Sequence, residues 1–193
     1  MKFLAAAIFC SLFVHPLWAQ NLVPNGDFEQ HDPYQQSIGW TQPTGDFNHF
    51  YHRDFTEKMG VPAQGNGYHC LCMYSREENE FMHVQLSKPL QKGRVYTLEM
   101  MVRLSQSLDD VYKIENKANM RRLDWYFTEI PLRVTHKLFI TAEPSASFAF
   151  TAPQPTDWTK MSMEYIATGE EEYLTIGNIT RIYEKLRNDE SID

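Results

Sequence analysis

The stretch "YTLEMMVRL", Tyr96 to Leu104, decides the fold class. Its side chains alternate with period two: Tyr96, Leu98, Met100, Val102 and Leu104 fall on one side, while Thr97, Glu99 and Arg103 fall on the other. Successive residues of a strand point to opposite faces, so this is the pattern of a half-buried β-strand. Lys92-Gly93 supplies the turn before it. Working outward, Phe81 to Leu86 alternates too, with Met82, Val84 and Leu86 on one side, and Lys88-Pro89 ends it. Tyr68 to Tyr74 is apolar on both faces, as in a central strand. Further strands are expected over 123–127, 137–141, 147–150, 161–167 and 173–176. Glu-Pro-Ser, Pro-Gln-Pro-Thr-Asp and Thr-Gly-Glu-Glu separate them and have turn compositions. Only two stretches suggest helix: a short polar helix or loop insertion around 109–122, and Thr180 to Arg187, which is too short to stand alone. Many short strands joined by Pro- and Gly-bearing turns predict an all-β sandwich.

The chain opens differently. Lys2 is followed by an almost unbroken apolar run, Phe3 to Val14, then Pro16 and the small residue Ala19. That order of charge, apolar core and small-residue exit describes a secretory signal peptide over 1–19, with cleavage after Ala19. The run is short of the roughly 20 residues that span a bilayer. Removing it takes away Lys2 and no acid, so the formal charge of −7 becomes one unit more negative. An acidic exported chain without a basic run argues against nucleic acid and anionic membrane surfaces as partners. Residues 20–179 are expected to form one domain, with 180–193 a charged tail or the start of a truncated segment.

No Gly-x-Ser-x-Gly elbow, His-Glu-x-x-His or phosphate-cradling loop is present. Asp109-Asp110, Glu77-Glu78 and Glu170-Glu171-Glu172 lie in polar segments and read as solvated charge clusters, so a non-catalytic role is expected. The segment from Gly45 to Phe55 crowds four aromatic rings and two histidines into a stretch that does not alternate. With Trp40 before it, His49, Tyr51, His52, Arg53 and Phe55 become candidate ligand contacts, because aromatic faces pack on the apolar faces of sugar rings and polar neighbours reach the hydroxyls. The competing readings are a long loop pinned by its own aromatics and a metal held by His49, His52 and Asp54. Cys70 and Cys72 would have Cα atoms roughly 6.5 Å apart in a strand, near the upper limit for a disulfide. They read as two small buried hydrophobes, with a metal pair completed by His69 as the alternative. Asn178-Ile179-Thr180 fits a glycosylation sequon.

Five pieces in order carry a family resemblance: "NLVPNGDFE" from Asn21, "GW" at Gly39-Trp40, "GVPAQGNGYHCLCMY" from Gly60, "VQLSKPLQKGRVYTLEMMVRLSQS" from Val84 and "TDWTKMSMEYIATGEEEYLTIGNI" from Thr156. Together they resemble the galactose-binding-domain-like jelly roll of exported envelope proteins of gliding and related Gram-negative bacteria. In many of those proteins it precedes an OmpA-type peptidoglycan-binding domain. The resemblance implies a two-sheet antiparallel jelly-roll sandwich like that of carbohydrate-binding modules. It also implies an exported module located in the periplasm, at the outer membrane or on the cell surface. A glycan or envelope polymer is the implied ligand. The alternatives are a structural or protein-interaction module of an outer-membrane assembly, and an accessory domain of a larger envelope protein or hydrolase. Fold alone does not choose among them.

In similar sandwiches a structural calcium sits under the first strand. The resemblance assigns Asp27 and Glu29 to it, with Leu22 and Val23 entering that strand, Pro24-Asn25-Gly26 bending it and Phe28 pointing into the core. Calcium takes six to eight oxygens. The family's final strand, with its aspartate, is missing or cut at Ile192-Asp193, so the expectation is an incomplete domain that holds calcium weakly.

Overall fold

The computed structural model describes residues 20–34, 36–43, 49–52 (as backbone), 61–71, 80–103, 122–133, 140, 142–149 and 157–179. Among these the fold is all-β, with antiparallel sheets and no helix. In chain order the strands are β1 (Trp40–Thr41), β2 (His49–His52), β3 (Gly67–Cys70), β4 (Met82–Gln85), β5 (Val95–Val102), β6 (Arg122–Thr128), β7 (Ala146–Ala149), β8 (Thr159–Ile166) and β9 (Tyr173–Gly177). A five-stranded sheet runs in the order β1-β4-β9-β6-β7, and two ribbons, β2-β3 and β5-β8, accompany it.

Register explains the core. Trp40 lies opposite Val84, Val84 opposite Leu174 and Leu174 opposite Phe127, an apolar row across four strands. A second row runs through Met82, Ile176, Trp125 and Ala146. Cross-strand neighbours project to the same face, so both rows meet the inward residues of the β5-β8 ribbon: Tyr96, Leu98, Met100, Met161, Met163 and Tyr165. The Phe127 and Tyr165 rings stack at 4.7 Å and join the two layers. Removing each such side chain from water contributes about 1.5–3 kcal/mol. The expected alternation over 96–102 holds: Thr97, Glu99 and Met101 are exposed, and Leu98, Met100 and Val102 are partly covered.

The second face of the five-stranded sheet is also covered. Phe81, Ile140 and Ile179 form a smaller apolar cluster there with Tyr126, Leu132 and Ala142. Strands β4, β6 and β9 therefore bury consecutive residues rather than alternate ones. Asp124, fully buried in this layer, accepts hydrogen bonds from Arg122 Nε (2.8 Å), Ser147 Oγ (2.6 Å) and Ile179 N (3.0 Å). The carboxylate thus ties β6 to β7 and to the chain after β9.

Several expectations change. Leu22 and Val23 are not in a strand; residues 24–27 form a turn, while Leu22, Val23 and Phe28 pack on the core. Asn25 causes this. Its side chain accepts from Gln30 N and donates to the Gln30 and Ile38 carbonyls, so a side chain takes the place of a strand partner. Asn25 and Phe28 both adopt positive φ, 46° and 60°, which bends the chain out of an extended path. Strand β3 pairs with β2 alone among the described residues, where a central strand was expected. Arg122 opens β6 instead of closing an insertion; Ile140 is a core residue, and the rest of the strand expected over 137–141 lies outside the described residues. Residues 1–19, 109–121 and 180–193, on which the expected signal peptide, polar insertion and tail fall, lie outside the described residues. Among the described residues, no helix is long and apolar enough to cross a membrane.

Candidate functional site

Two polar constellations are structural. His83 Nδ1 lies 2.8 Å from Thr175 Oγ1, and the imidazole stacks on Tyr173 at 5.4 Å. With His83 5% exposed and Thr175 at 0%, the pair is shut away from solvent. Burial pushes the His83 pKa down. Glu171 corrects the reading of the acidic triplet. Glu170 is exposed, but Glu171 is buried, and its carboxylate accepts from the Tyr165 hydroxyl, Thr168 N and Oγ1, Gly169 N and Glu170 N. It holds the β8–β9 loop closed.

The expected ligand residues divide. Trp40 is 7% exposed and belongs to the core; its Nε1 donates to the Asn25 carbonyl at 3.1 Å, and its ring lies 5.3 Å from Phe28 and 6.2 Å from His69. His49, Tyr51 and His52 lie in β2, with backbones opposite Cys70, Tyr68 and Gly67. Arg53 and Phe55 lie outside the described residues. The two expected metal residues, Glu29 and Asp27, make separate contacts. Glu29 accepts from Asn66 N (2.5 Å), Asn66 Nδ2 (3.0 Å) and Gly67 N (3.2 Å), clipping the N-terminal turn to the start of β3. Asp27 Oδ1 instead receives Glu29 N at 3.4 Å. Among the described residues there is no group of three or more His, Cys, Asp or Glu side chains placed to hold a metal. Cys70 is a free, half-buried thiol whose pKa burial pushes up, with Glu80 adding to the rise and Arg103 opposing it.

The β2-β3 ladder leads to residues that sequence reasoning did not single out as a site. Tyr68, opposite Tyr51, meets Trp158 in a T-shaped contact, with centroids 6.0 Å apart and planes at 75°. The Arg103 guanidinium lies over both rings, with Cζ 4.8 Å from the Trp158 centroid and 5.8 Å from the Tyr68 centroid. Met101 pairs with Lys160 and Val102 with Thr159, so the same register, extended by one residue, sets Arg103 opposite Trp158. Trp158 is fixed at its edge by Nε1 donating to the Val61 carbonyl at 2.8 Å, and Val61 itself is 66% exposed. All three cluster residues are partly exposed. Burial raises the Tyr68 pKa, and the nearby Arg103 charge opposes that rise. Cation–π attraction holds the guanidinium beside both rings. The arrangement offers two aromatic surfaces and an oriented cation at one end of the β5-β8 ribbon. Arg103 facing out of its strand was the one local signal; the approach of Tyr68 and Trp158 had none. Comparison of the chain with known protein families, with curated proteins and with solved structures finds no match.

Proposed function

We propose that the protein is a non-catalytic exported binding module, a jelly-roll sandwich that contacts a glycan or another cell-envelope polymer. The observation that carries this reading is the Tyr68–Arg103–Trp158 cluster, partly exposed and adjacent to the β2 strand that contains His49, Tyr51 and His52. Planar rings that are fixed before binding lose little freedom when a sugar ring stacks on them. The jelly-roll assignment is supported by the antiparallel five-stranded sheet facing the β5-β8 ribbon across a shared core, and by the family resemblance. Export is supported by the charge, apolar run and small-residue exit of residues 1–19.

Affinity electrophoresis or pull-down of residues 20–193 on a panel of envelope and plant polysaccharides tests the reading. Retention by at least one polymer is expected, with loss on Trp158→Ala or Tyr68→Ala and no loss on Thr97→Ala. Absence of retention by every polymer, or equal retention by all variants, would overturn it.

A second reading, a protein-interaction module of an outer-membrane assembly, is favoured by one observation. Val95 and Ile166 are cross-strand partners on the outer face of the ribbon, 57% and 66% exposed. Exposed apolar pairs mark contact surfaces when they are contiguous. Co-purification of an envelope protein that is lost on Val95→Glu or Ile166→Glu, with polysaccharide retention unaffected, would favour this alternative.

A further inference from the structure

We propose that the ligand of the Tyr68–Arg103–Trp158 cluster is a carboxylated saccharide, a uronate-bearing polysaccharide rather than a neutral one. The inference rests on the glycan-binding reading above and deepens it.

The argument begins with charge. The chain carries 25 Asp and Glu against 18 Lys and Arg, so a cation has ample opportunity to find a carboxylate. On the same ribbon Lys160 has done so, with Nζ 2.8 Å from Glu99. In the sheet behind, Arg122 pairs with Asp124. Arg103 does not: among the described residues it makes no ion pair, and Asp157, beside Trp158 in the chain, does not bond to it. It lies instead over two rings.

The two rings stand 75° apart, so the planar guanidinium lies flat on at most one of them, and the edge that would meet a ligand is the one directed away from both. That edge presents N–H donors in a planar fork whose spacing matches the two oxygens of a carboxylate. The rings around it supply the other half of the ligand's chemistry, an apolar surface for the C–H face of a pyranose. A uronate joins both features in one residue, with the carboxylate borne on the ring that stacks. A polyanion approaching an acidic protein meets general repulsion, so selective binding requires a specific, oriented cation such as Arg103. A lysine here would supply charge but no fork.

The test compares polygalacturonate, its fully methyl-esterified form, the neutral glucan laminarin and dextran sulfate against residues 20–193, by titration calorimetry at low and moderate salt. The free acid is expected to bind at least about tenfold more tightly than its ester, the range of one charge-assisted hydrogen-bonded contact. Raising the salt should erode that preference. Arg103→Gln should abolish the preference, so that free acid and ester bind alike. Arg103→Lys, a gentler change should the glutamine variant fail to fold, should lose most of it. Trp158→Ala should remove binding to both forms. Equal affinity for acid and ester overturns the inference and leaves the glycan-binding reading intact. Dextran sulfate binding as tightly as polygalacturonate overturns it in favour of charge alone. Preference persisting in Arg103→Gln also overturns it. Binding of none of the four polymers, nor of any in the wider panel, overturns both readings.

Discussion

The Tyr165 hydroxyl donates to Glu171 Oε1 across 2.7 Å and ties the end of β8 to the loop that leads into β9. The bond draws the two acidities apart. Burial alone would raise the Glu171 pKa, but the bonds from Tyr165, Thr168 and Gly169 outweigh it and bring it down to about 2. Burial, then the Glu171 contact, pushes Tyr165 up to about 12.

Stability should follow from both shifts. The Glu171 contribution is complete above its unfolded pKa, near 4.5, and is lost as pH falls through about 2. The Tyr165 contribution is complete below 10 and is lost as pH rises through about 12. Glu171→Gln places an NH2 group among N–H donors and should cost about 2 kcal/mol at neutral pH. Denaturant unfolding between pH 2 and 5 should show a flatter acid limb in that variant; an unchanged limb would remove Glu171 as its source.

His69 sets an earlier step on the acid side. Both ring nitrogens are shut from solvent, Phe28 packs at 4.7 Å, and burial holds the pKa down at about 4. The unfolded chain takes up this proton near 6.5 and the folded chain does not, so stability should fall as pH drops from about 6.5 to 4 and then level. NMR titration of the His69 ring should report the low pKa, and His69→Phe should flatten this step while leaving the Glu171 step in place.

Asp124 should be among the most sensitive polar positions. Asp124→Ala leaves the Arg122 guanidinium, Ser147 hydroxyl and Ile179 amide without their shared acceptor. Removing one member of such a buried set costs about 3–5 kcal/mol, whereas Ser147→Ala should cost about 1 kcal/mol. Urea titrations of the two variants measure the difference, and equal midpoints would contradict it.

Two glycines separate backbone strain from steric exclusion. Gly93 adopts φ +75° with open space where a Cβ would project, so Gly93→Ala should cost about 1–2 kcal/mol from conformation alone. At Gly67 a Cβ would run into the Phe28 carbonyl. Gly67→Ala should therefore displace the N-terminal turn as well as destabilise, and thermal melts combined with Trp40 fluorescence should show both effects. A melt as mild as that of Gly93→Ala, with unaltered fluorescence, would contradict the close packing.

The period-two pattern of Tyr96–Val102 was enough to place a strand and its inward face, because side-chain alternation is a local property of extended backbone. The same logic found β4, β6, β7, β8 and β9 to within a residue or two. It could not tell that β4 pairs with β9, with Gln85 opposite Tyr173 and His83 opposite Thr175, 88 and 92 residues apart in the chain, since strand partners are chosen by which apolar rows can be buried together. Nor could it separate Glu171 from Glu170, or Trp40 from an exposed ring. Each has ordinary polar or loop neighbours in the chain, and only the bonds gathered in space decide its burial. The aromatic stretch around Tyr51 was legible as unusual, yet Tyr68, Arg103 and Trp158 come from three separate strand ends. Composition and periodicity determined the all-β class. The meeting of a cation with two rings was decided by tertiary structure, because sheet register brings distant residues together and no local pattern records it.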